Sequence, residues 1–214
     1  KNINFSEKIG SHLGNGELKI INLNYKNPVI SGKLDKSNSL SQLKGLKKSI
    51  ELCLSKKFDA LITLPIHKKI LSTKKIKFTG HTEYIADNCG LKGNEVMLLS
   101  NKKINVALAT THISLKDVPS KISKKSLCNT ISTLHNDLKK KFKIIDPKIT
   151  VTGLNPHSGE DGEFGDEEIR IIRPAIRKMQ ALGISLNGPI SADTAFTPKI
   201  MRNTDCYLTM YHDQ

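Results

Sequence analysis

Ile149-Thr-Val-Thr152 is a short β-branched run that leads directly into the glycine-rich stretch Gly153-Leu-Asn-Pro-His-Ser-Gly-Glu-Asp-Gly-Glu-Phe-Gly165. From about Asp166 to Leu182 the apolar residues then recur three to four positions apart, with Pro174 inside the pattern. The run predicts a buried strand, and the periodic stretch predicts an amphipathic helix that is kinked or split at the proline. Acidic residues at its start and a glycine after its end suit the helix dipole and the helix terminus.

Two other apolar runs are followed by a histidine in the same way. Val106-Ala-Leu-Ala-Thr110 comes before His112 and Cys206-Tyr-Leu-Thr-Met210 comes before His212, just as the first run comes before His157. In α/β proteins, ligands and chemistry collect at the carboxyl ends of strands. Three imidazoles delivered there by three separate strands predict a divalent metal site with an open coordination position.

The remaining patterns also alternate between strand and helix, which predicts an α/β fold with a largely parallel or mixed sheet. A hairpin across Asn101–Asn105 is possible between two of the strands. The further predicted elements are strands over Leu18–Leu23, Ala60–Leu64 and Val96–Leu99, a helix from Asn38 or Ser39 through Leu54, and a long helix from about Ser120 to Phe142.

Composition sets limits on the class of protein. The chain has 214 residues, of which 37% are hydrophobic, and this is enough for one large domain or two small ones. The sequence contains no stretch of about 18 apolar residues, so it predicts no membrane span. The N-terminus also lacks the apolar run of a signal peptide. The four cysteines are scattered without a CxxC spacing. We therefore expect a cytoplasmic protein with no membrane partner and no zinc ribbon or redox pair.

The formal net charge of +14 raises the question of a nucleic-acid partner. The lysines are spread along the whole chain, only four of the 34 basic residues are arginines, and aromatic residues make up 5%. Lysines that are scattered rather than clustered, with few aromatic rings on which bases could stack, indicate a general bias of the composition towards lysine. We therefore expect no nucleic-acid partner. A basic surface would still favour an anionic substrate, for instance a phosphorylated one.

Phe78-Thr-Gly-His-Thr-Glu-Tyr84 offers an imidazole and a hydroxyl, from His81 and Thr82, directly after a glycine. Such a pair could hold a phosphate or a carboxylate. The structural alternative is that Thr82 or Thr79 caps a helix. Both can hold at once, because a helix N-terminus is itself a site for anions.

Three further segments allow a structural and a functional interpretation. In the glycine-rich stretch, His157 is either a ligand that Glu160 or Asp161 orients or part of a solvated loop. Asp193, in Ser191-Ala-Asp-Thr-Ala-Phe196, is more often a turn or cap residue than a catalyst. Met210-Tyr-His-Asp-Gln214 ends the chain, and we expect a histidine so close to a terminus to be poorly held.

Taken together and in this order, these segments resemble the 4-hydroxythreonine-4-phosphate dehydrogenase family of pyridoxal phosphate biosynthesis. The resemblance covers roughly Leu40 to Gln214. It implies the fold of isocitrate and isopropylmalate dehydrogenases, with two α/β domains around a cleft, and a homodimer with shared active sites. The motifs that carry it are Leu64-Pro-Ile-His-Lys68, FTGHTE, ATTHISLKDVP, GLNPHSGEDGEFGDEE, SADTAFTP and MYHDQ.

The resemblance also implies roles for individual residues. His112, His157 and His212 match the metal ligands of the family, one of them reaching the partner subunit's site, and the metal would be zinc, magnesium or cobalt. His81 and Thr82 match the substrate-binding pair, and Asp193 matches an aspartate near the metal. The implied reaction oxidises 4-phosphooxy-L-threonine with NAD or NADP and decarboxylates the product to 3-amino-2-oxopropyl phosphate.

The chain departs from the family at both ends, so the resemblance implies the central portion of a two-domain dehydrogenase. The N-terminal strand with its Gly-Asp-Pro-Ala-Gly-like loop and everything after Gln214 are absent, and no residue can be named for the nicotinamide cofactor. Two alternatives therefore stay open. One is a paralogue that acts on 4-phospho-D-erythronate or phospho-threonate, and the other is a metal- or phosphate-binding remnant without turnover.

Overall fold

The structure is a computed structural model that describes residues 4–6, 17–72 and 78–214, with side chains described from residue 20 onward. The chain divides into two units, residues 1–92 and residues 93–214, each with its own internal contacts. Both units mix helices with strands, which confirms the predicted α/β class.

In the first unit, a pair of short parallel strands is followed by three helices. The first of these helices begins at Ser39 as predicted, after Asn38, whose buried side-chain amide exchanges two hydrogen bonds with the backbone of Asn27. Leu43 and Ile50 are buried on its inner face, whereas the predicted ends of that face, Leu40 and Leu54, are exposed. The elements are β1 (Asn4–Ser6), β2 (Glu17–Lys19), α1 (Ser39–Leu54), α2 (Lys68–Leu71) and α3 (His81–Asn88).

Two predictions for the first unit are wrong in part or in full. The strand predicted at Leu18–Leu23 ends at Lys19, where pairing with β1 stops. The strand predicted at Ala60–Leu64 does not form, and 89% of Ile62 is exposed. An apolar run forms a buried strand only when another strand pairs with it, and among the described residues none pairs with this one.

The second unit is built on a five-stranded sheet in the order β3-β4-β7-β5-β6. Four strands are parallel, and β3 pairs antiparallel with β4 at the edge, with Leu98 opposite Ala107. The predicted hairpin and the strands predicted before the three histidines are therefore confirmed. The strands are β3 (Leu98–Ser100), β4 (Asn105–Leu108), β5 (Ile149–Thr152), β6 (Leu186–Ile190) and β7 (Cys206–Thr209).

The central strands are covered on both faces, which explains why β5 and β7 are buried at every position. Val151 and Leu208 face the main core, which also contains Ile131 and Ile176. On the opposite face the Tyr207 ring packs 4.4 Å from that of Phe196. The helices of this unit are α4 (Val118–Lys121), α5 (Lys124–Lys140), α6 (Arg173–Gln180), α7 (Ala192–Ala195) and α8 (Pro198–Met201).

Both long helices of this unit differ from their predicted extents for identifiable reasons. The helix predicted from Ser120 begins at Lys124, because Ser123 and Ser126 form a reciprocal capping box. The helix predicted from Asp166 is split as expected. A π-helical turn over Glu168–Ile172 runs directly into α6 at Arg173, so the hydrogen-bond pattern of the helix changes just before Pro174.

Strand β6 was not predicted, because Gly188 and Pro189 are typical of a turn. The structure places both in the strand, joined by a cis peptide bond. Gly188 has φ +132°, and a Cβ atom there would lie 2.3 Å from the Val151 carbonyl oxygen on β5. Only glycine fits where β6 comes this close to its neighbour.

We expect Gly188→Ala to destabilise the second unit by about 2–4 kcal/mol, because the new methyl group must displace the backbone of β5. Urea unfolding followed by circular dichroism measures the change. Gly183→Ala is the matched control, since Gly183 also has positive φ but no atom within 4 Å of the new methyl group. A loss of stability at Gly188 no larger than that at Gly183 would contradict the close-approach argument.

Candidate functional site

The carboxyl ends of the four parallel strands lie side by side at one edge of the sheet. Hydrogen bonds continue between the segments just past the strands: Ala109 N–H donates to the Thr209 carbonyl at 2.8 Å, and Gly153 N–H donates to the Ile190 carbonyl at 2.8 Å. Thr110 adds a side-chain bond of 2.7 Å to the Met210 carbonyl. Loops separated by as many as 100 residues in sequence are thereby fixed next to one another.

Two clefts open at this edge, and each contains predicted site residues. The first has a volume of about 140 Å³ and is lined by His112, His212 and Asp213. The second has a volume of about 240 Å³ and is lined by His157 and Asp193. Tyr211 lines both clefts. The structure thus brings His112 together with His212, and His157 together with Asp193, in neighbouring clefts.

The three histidines supply the right kind of donor for a divalent transition metal, but a single chain does not assemble them. Among the residues that the structure describes, no three His, Cys, Asp or Glu side chains lie close enough to hold one ion. The ligand set His112, His157 and His212 therefore stays a prediction. Its chemistry fits zinc or cobalt, which favour imidazole nitrogen.

Two of the histidines have a carboxylate beside the Nδ1 atom. His212 Nδ1 is 2.8 Å from Asp213 Oδ1, and His157 Nδ1 is 3.7 Å from Glu160 Oε1. For His212, the hydrogen bond to Asp213 favours a proton on Nδ1 and leaves Nε2 available to a ligand, an arrangement typical of metal-binding histidines. The His157–Glu160 separation of 3.7 Å is beyond hydrogen-bond distance. Of the two acids predicted to orient His157, Asp161 instead faces Arg173, at 3.4 Å.

His157 lies in an unusual backbone conformation. Five consecutive residues, from His157 to Asp161, have positive φ between 40° and 83°, and only one of them is glycine. The left-handed region costs a non-glycine residue roughly 1–2 kcal/mol, so surrounding contacts must hold this turn in place. His112 also has positive φ, 50°. Two of the three predicted ligands therefore occupy backbone positions that are strained.

Asp193 follows β6 at the start of α7, and its carboxylate is exposed to solvent. A hydrogen bond from the Ser191 side chain holds the pKa of Asp193 below its usual 3.8, and the nearby His157 lowers that pKa further. Because the folded-state pKa is lowered, the interaction is present at neutral pH and is lost only as the pH falls into the acid range. Asp193 therefore presents a negative charge beside His157.

The end of the chain is held more firmly than its sequence position predicts. The Gln214 side-chain oxygen accepts hydrogen bonds from Met210 N–H at 2.7 Å and from the Thr152 hydroxyl at 2.9 Å. Its amide nitrogen donates to the Gly153 carbonyl at 2.5 Å. One side chain thus joins the ends of β5 and β7 and closes the turn that carries His212. The expectation of a loosely held histidine is wrong for this reason.

His81 and Thr82 belong to the first unit, where they form the first turn of α3. The His81 ring packs edge-on against buried Phe78, with ring centroids 6.0 Å apart. The predicted cap is wrong: the capping position is Gly80, where a Cβ atom would meet the Glu83 carboxylate at 2.7 Å. Thr82 lies inside the helix, so neither Thr82 nor Thr79 caps it.

Sequence reasoning missed two residues that shape the site, Gln214 and Glu168. Glu168 was expected to complement the helix dipole, but it is buried and accepts hydrogen bonds from the loop after β5. A carboxylate in the first turn of a helix gives no sequence signal that separates these roles. Gln214, five residues after the end of β7, likewise matches no motif that predicts its hydrogen bonds.

Comparison with known proteins gives a consistent result. The model of the family described as pyridoxal phosphate biosynthetic protein PdxA matches residues 2–214. The chain is 42% and 43% identical, over 199 residues, to 4-hydroxythreonine-4-phosphate dehydrogenases from Marinobacter nauticus and Chromobacterium violaceum. These matches cover 93% of this chain and 59% and 60% of the relatives. The chain therefore spans about three fifths of their length.

A solved structure of a 4-hydroxythreonine-4-phosphate dehydrogenase from Klebsiella pneumoniae is similar to the chain, with a TM-score of 0.89 at 28% sequence identity. The similarity covers 99% of this chain and 65% of that one. The expected isocitrate dehydrogenase-like fold is confirmed. None of the helices in the described ranges is long and apolar enough to cross a membrane.

We expect Gln214→Ala to loosen the turn that carries His212 while the sheet stays folded. Removing a partner from a buried donor costs about 1–3 kcal/mol, so the Met210 amide should exchange with solvent about tenfold faster or more. Hydrogen–deuterium exchange measures this rate. Gln180→Ala is the matched control, because Gln180 makes one exposed side-chain bond, to the Leu186 carbonyl. Equal exchange at Met210 in both variants would show that Gln214 does not anchor the turn.

Proposed function

The chain belongs to the PdxA family of pyridoxal phosphate biosynthetic proteins, and from that membership we propose that it carries metal- and substrate-binding parts of a 4-hydroxythreonine-4-phosphate dehydrogenase. One observation carries the proposal. His112, His157, Asp193 and His212 come from four separate loops and meet in two adjoining clefts at the carboxyl edge of one sheet. That edge is where α/β enzymes bind their ligands.

In this proposal His112, His157 and His212 are the metal ligands. Because one chain holds them in two clefts, the complete site is formed between two subunits of a homodimer, each giving and receiving a ligand. The carboxylate hydrogen-bonded to Nδ1 of His212 supports this assignment, since it leaves Nε2 of that ring for the ion. A divalent ion bound there would supply Lewis-acid stabilisation of negative charge on the substrate oxygen.

The substrate in this proposal is 4-phosphooxy-L-threonine. His81 and Thr82 bind it, because a helix N-terminus with an imidazole and a hydroxyl offers several donors to an oxyanion. Asp193, ionised beside His157, accepts the proton that the substrate hydroxyl loses.

The proposed reaction has two steps, an oxidation and a decarboxylation. The C3 hydrogen leaves as hydride to NAD or NADP while the C3 hydroxyl loses its proton, which gives a β-keto acid. Carbon dioxide then leaves, its bonding electrons form an enolate, and protonation yields 3-amino-2-oxopropyl phosphate. The protein positions the groups and stabilises the developing charge, and the nicotinamide cofactor takes the hydride. We assign no described residue to that cofactor.

We expect the chain to bind one Zn²⁺ or Co²⁺ per subunit, and we expect His157→Ala to abolish this binding while the fold is kept. The reason is that a site with three protein ligands cannot hold the ion tightly with two. Isothermal titration calorimetry at several protein concentrations measures stoichiometry and affinity. Tighter binding at concentrations where dimers form supports a shared site.

The matched control for this experiment is His135→Ala, which removes a histidine from α5 that lines neither cleft. It should bind the ion as the unchanged chain does. Stoichiometric metal in His157→Ala would refute the ligand assignment. Absence of binding by the unchanged chain at every concentration would favour a family member without this metal site.

We expect His81→Ala to weaken binding of 4-phosphooxy-L-threonine about tenfold or more, while metal affinity stays the same. Loss of a hydrogen bond to a charged group costs about 1.5–3 kcal/mol. Calorimetry with substrate checks the first effect and with Zn²⁺ the second. Asn88→Ala, at the far end of α3, is the control. Weakened metal binding with unchanged substrate binding would mean that the roles are reversed, and a preference for 4-phospho-D-erythronate would indicate the paralogue.

A further inference from the structure

Glu168 is the only buried acidic side chain among the residues that the structure describes, with 1% of its surface exposed. Among the described residues of the second unit, no cation forms an ion pair with its carboxylate, which instead accepts hydrogen bonds from N–H groups of one loop. Leu154 N–H donates to Oε1 at 2.7 Å, Asn155 N–H donates to the same oxygen at 2.8 Å, and the Asn155 side-chain amide donates to Oε2 at 2.9 Å. A buried carboxylate with three N–H donors is a strong local anchor.

The loop that Glu168 anchors is the one that carries His157. Leu154 and Asn155 precede His157 by three and two residues, and Gly159 follows it by two. A Cβ atom on Gly159 would lie 2.8 Å from Glu168 Oε2, so the chain that returns from His157 also passes directly against the carboxylate. One side chain therefore binds the backbone that leads into the left-handed turn and lies against Gly159 in the middle of that turn.

The π-helical turn before α6 determines where this carboxylate lies. Glu168 opens the π-helical turn before α6, and Arg173 N–H donates to its backbone carbonyl five residues back. Such turns recur at functional sites. Ile172, at the other end of the same turn, is fully buried in the core. The position of Glu168 is thus tied to the packing of the helix rather than to the exposed part of the loop.

We propose that Glu168 is a positioning residue that holds His157 at the carboxyl end of β5 through the backbone of the loop. The carboxylate fixes the segment that leads into the left-handed turn and packs against the turn at Gly159, and the turn sets the position of the His157 side chain. The role in metal binding that follows rests on the proposed function of His157. The position of the imidazole itself does not, and it can be measured separately.

The experiment compares Glu168→Gln with the unchanged 214-residue chain by NMR and by Zn²⁺ titration. In the structure the His157 and Phe164 rings lie 6.3 Å apart, close enough for ring protons to give a nuclear Overhauser effect. In glutamine an NH₂ group replaces one carboxylate oxygen. One acceptor thereby becomes a donor, which would face the N–H donors of Leu154 and Asn155. We expect the His157–Phe164 effect to be lost and Zn²⁺ affinity to fall about tenfold to a hundredfold, with the circular dichroism of the folded chain retained.

Glu163→Gln is the matched control, because it removes the same charge from an exposed position in the same loop. It should keep both signals. A purely structural role for Glu168 would lower the unfolding temperature but leave the His157–Phe164 effect and the Zn²⁺ affinity of the folded variant unchanged. That result overturns the proposal.

Asn155→Ala keeps the test decisive if Glu168→Gln does not fold, since it removes one of the three donors and leaves the carboxylate in place. A weakened His157–Phe164 effect supports the proposal, and an unchanged one overturns it. If the unchanged chain binds no Zn²⁺, the metal assignment fails, and the His157–Phe164 effect alone decides whether Glu168 positions His157.

Discussion

The parallel pairing of β7 between β4 and β5 is the constraint on which the rest of the second unit depends. These strands are distant in sequence, so nothing local brings their ends together. Once β7 pairs on both sides, the segments that follow all three strands must leave the sheet at the same edge. The two clefts, the shared wall at Tyr211 and the neighbouring histidines are consequences of that pairing.

The free-energy cost of the left-handed backbone in the His157 loop is about as large as the stabilisation from the hydrogen bonds that hold the loop in place. Four non-glycine residues in left-handed backbone cost together about 4–8 kcal/mol. Three N–H bonds to the Glu168 carboxylate contribute about 5–9 kcal/mol, at about 1.5–3 kcal/mol for each bond to a charged group. The loop can therefore keep this shape only while the carboxylate keeps these three hydrogen bonds. A substitution at Glu168 would affect the histidine before it affected the sheet.

The sequence predicted the elements whose pattern is local and missed those that depend on distant partners. Strands before the three histidines, the hairpin and the split helix follow from periodicity and from Pro174, and all are present. The apolar run at Ala60–Leu64 has the same local pattern, but no strand pairs with it among the described residues. Strand β6 was not predicted, because the contact of Gly188 with β5 cannot be seen in sequence. The same limit hid the hydrogen bonds of Glu168 and Gln214.

The net charge of the whole protein and the charges inside the two clefts have opposite effects on an anion. The net charge of +14 favours the approach of an anion such as a phosphorylated substrate, an effect that salt screens beyond about 10 Å. Within the clefts the balance is reversed, because Asp193 and Asp213 lie beside histidines and Asp193 stays ionised at neutral pH. Negative side chains at this edge would repel a bare phosphate but would stabilise a cation. The two clefts are therefore better suited to a cation than to a phosphate group.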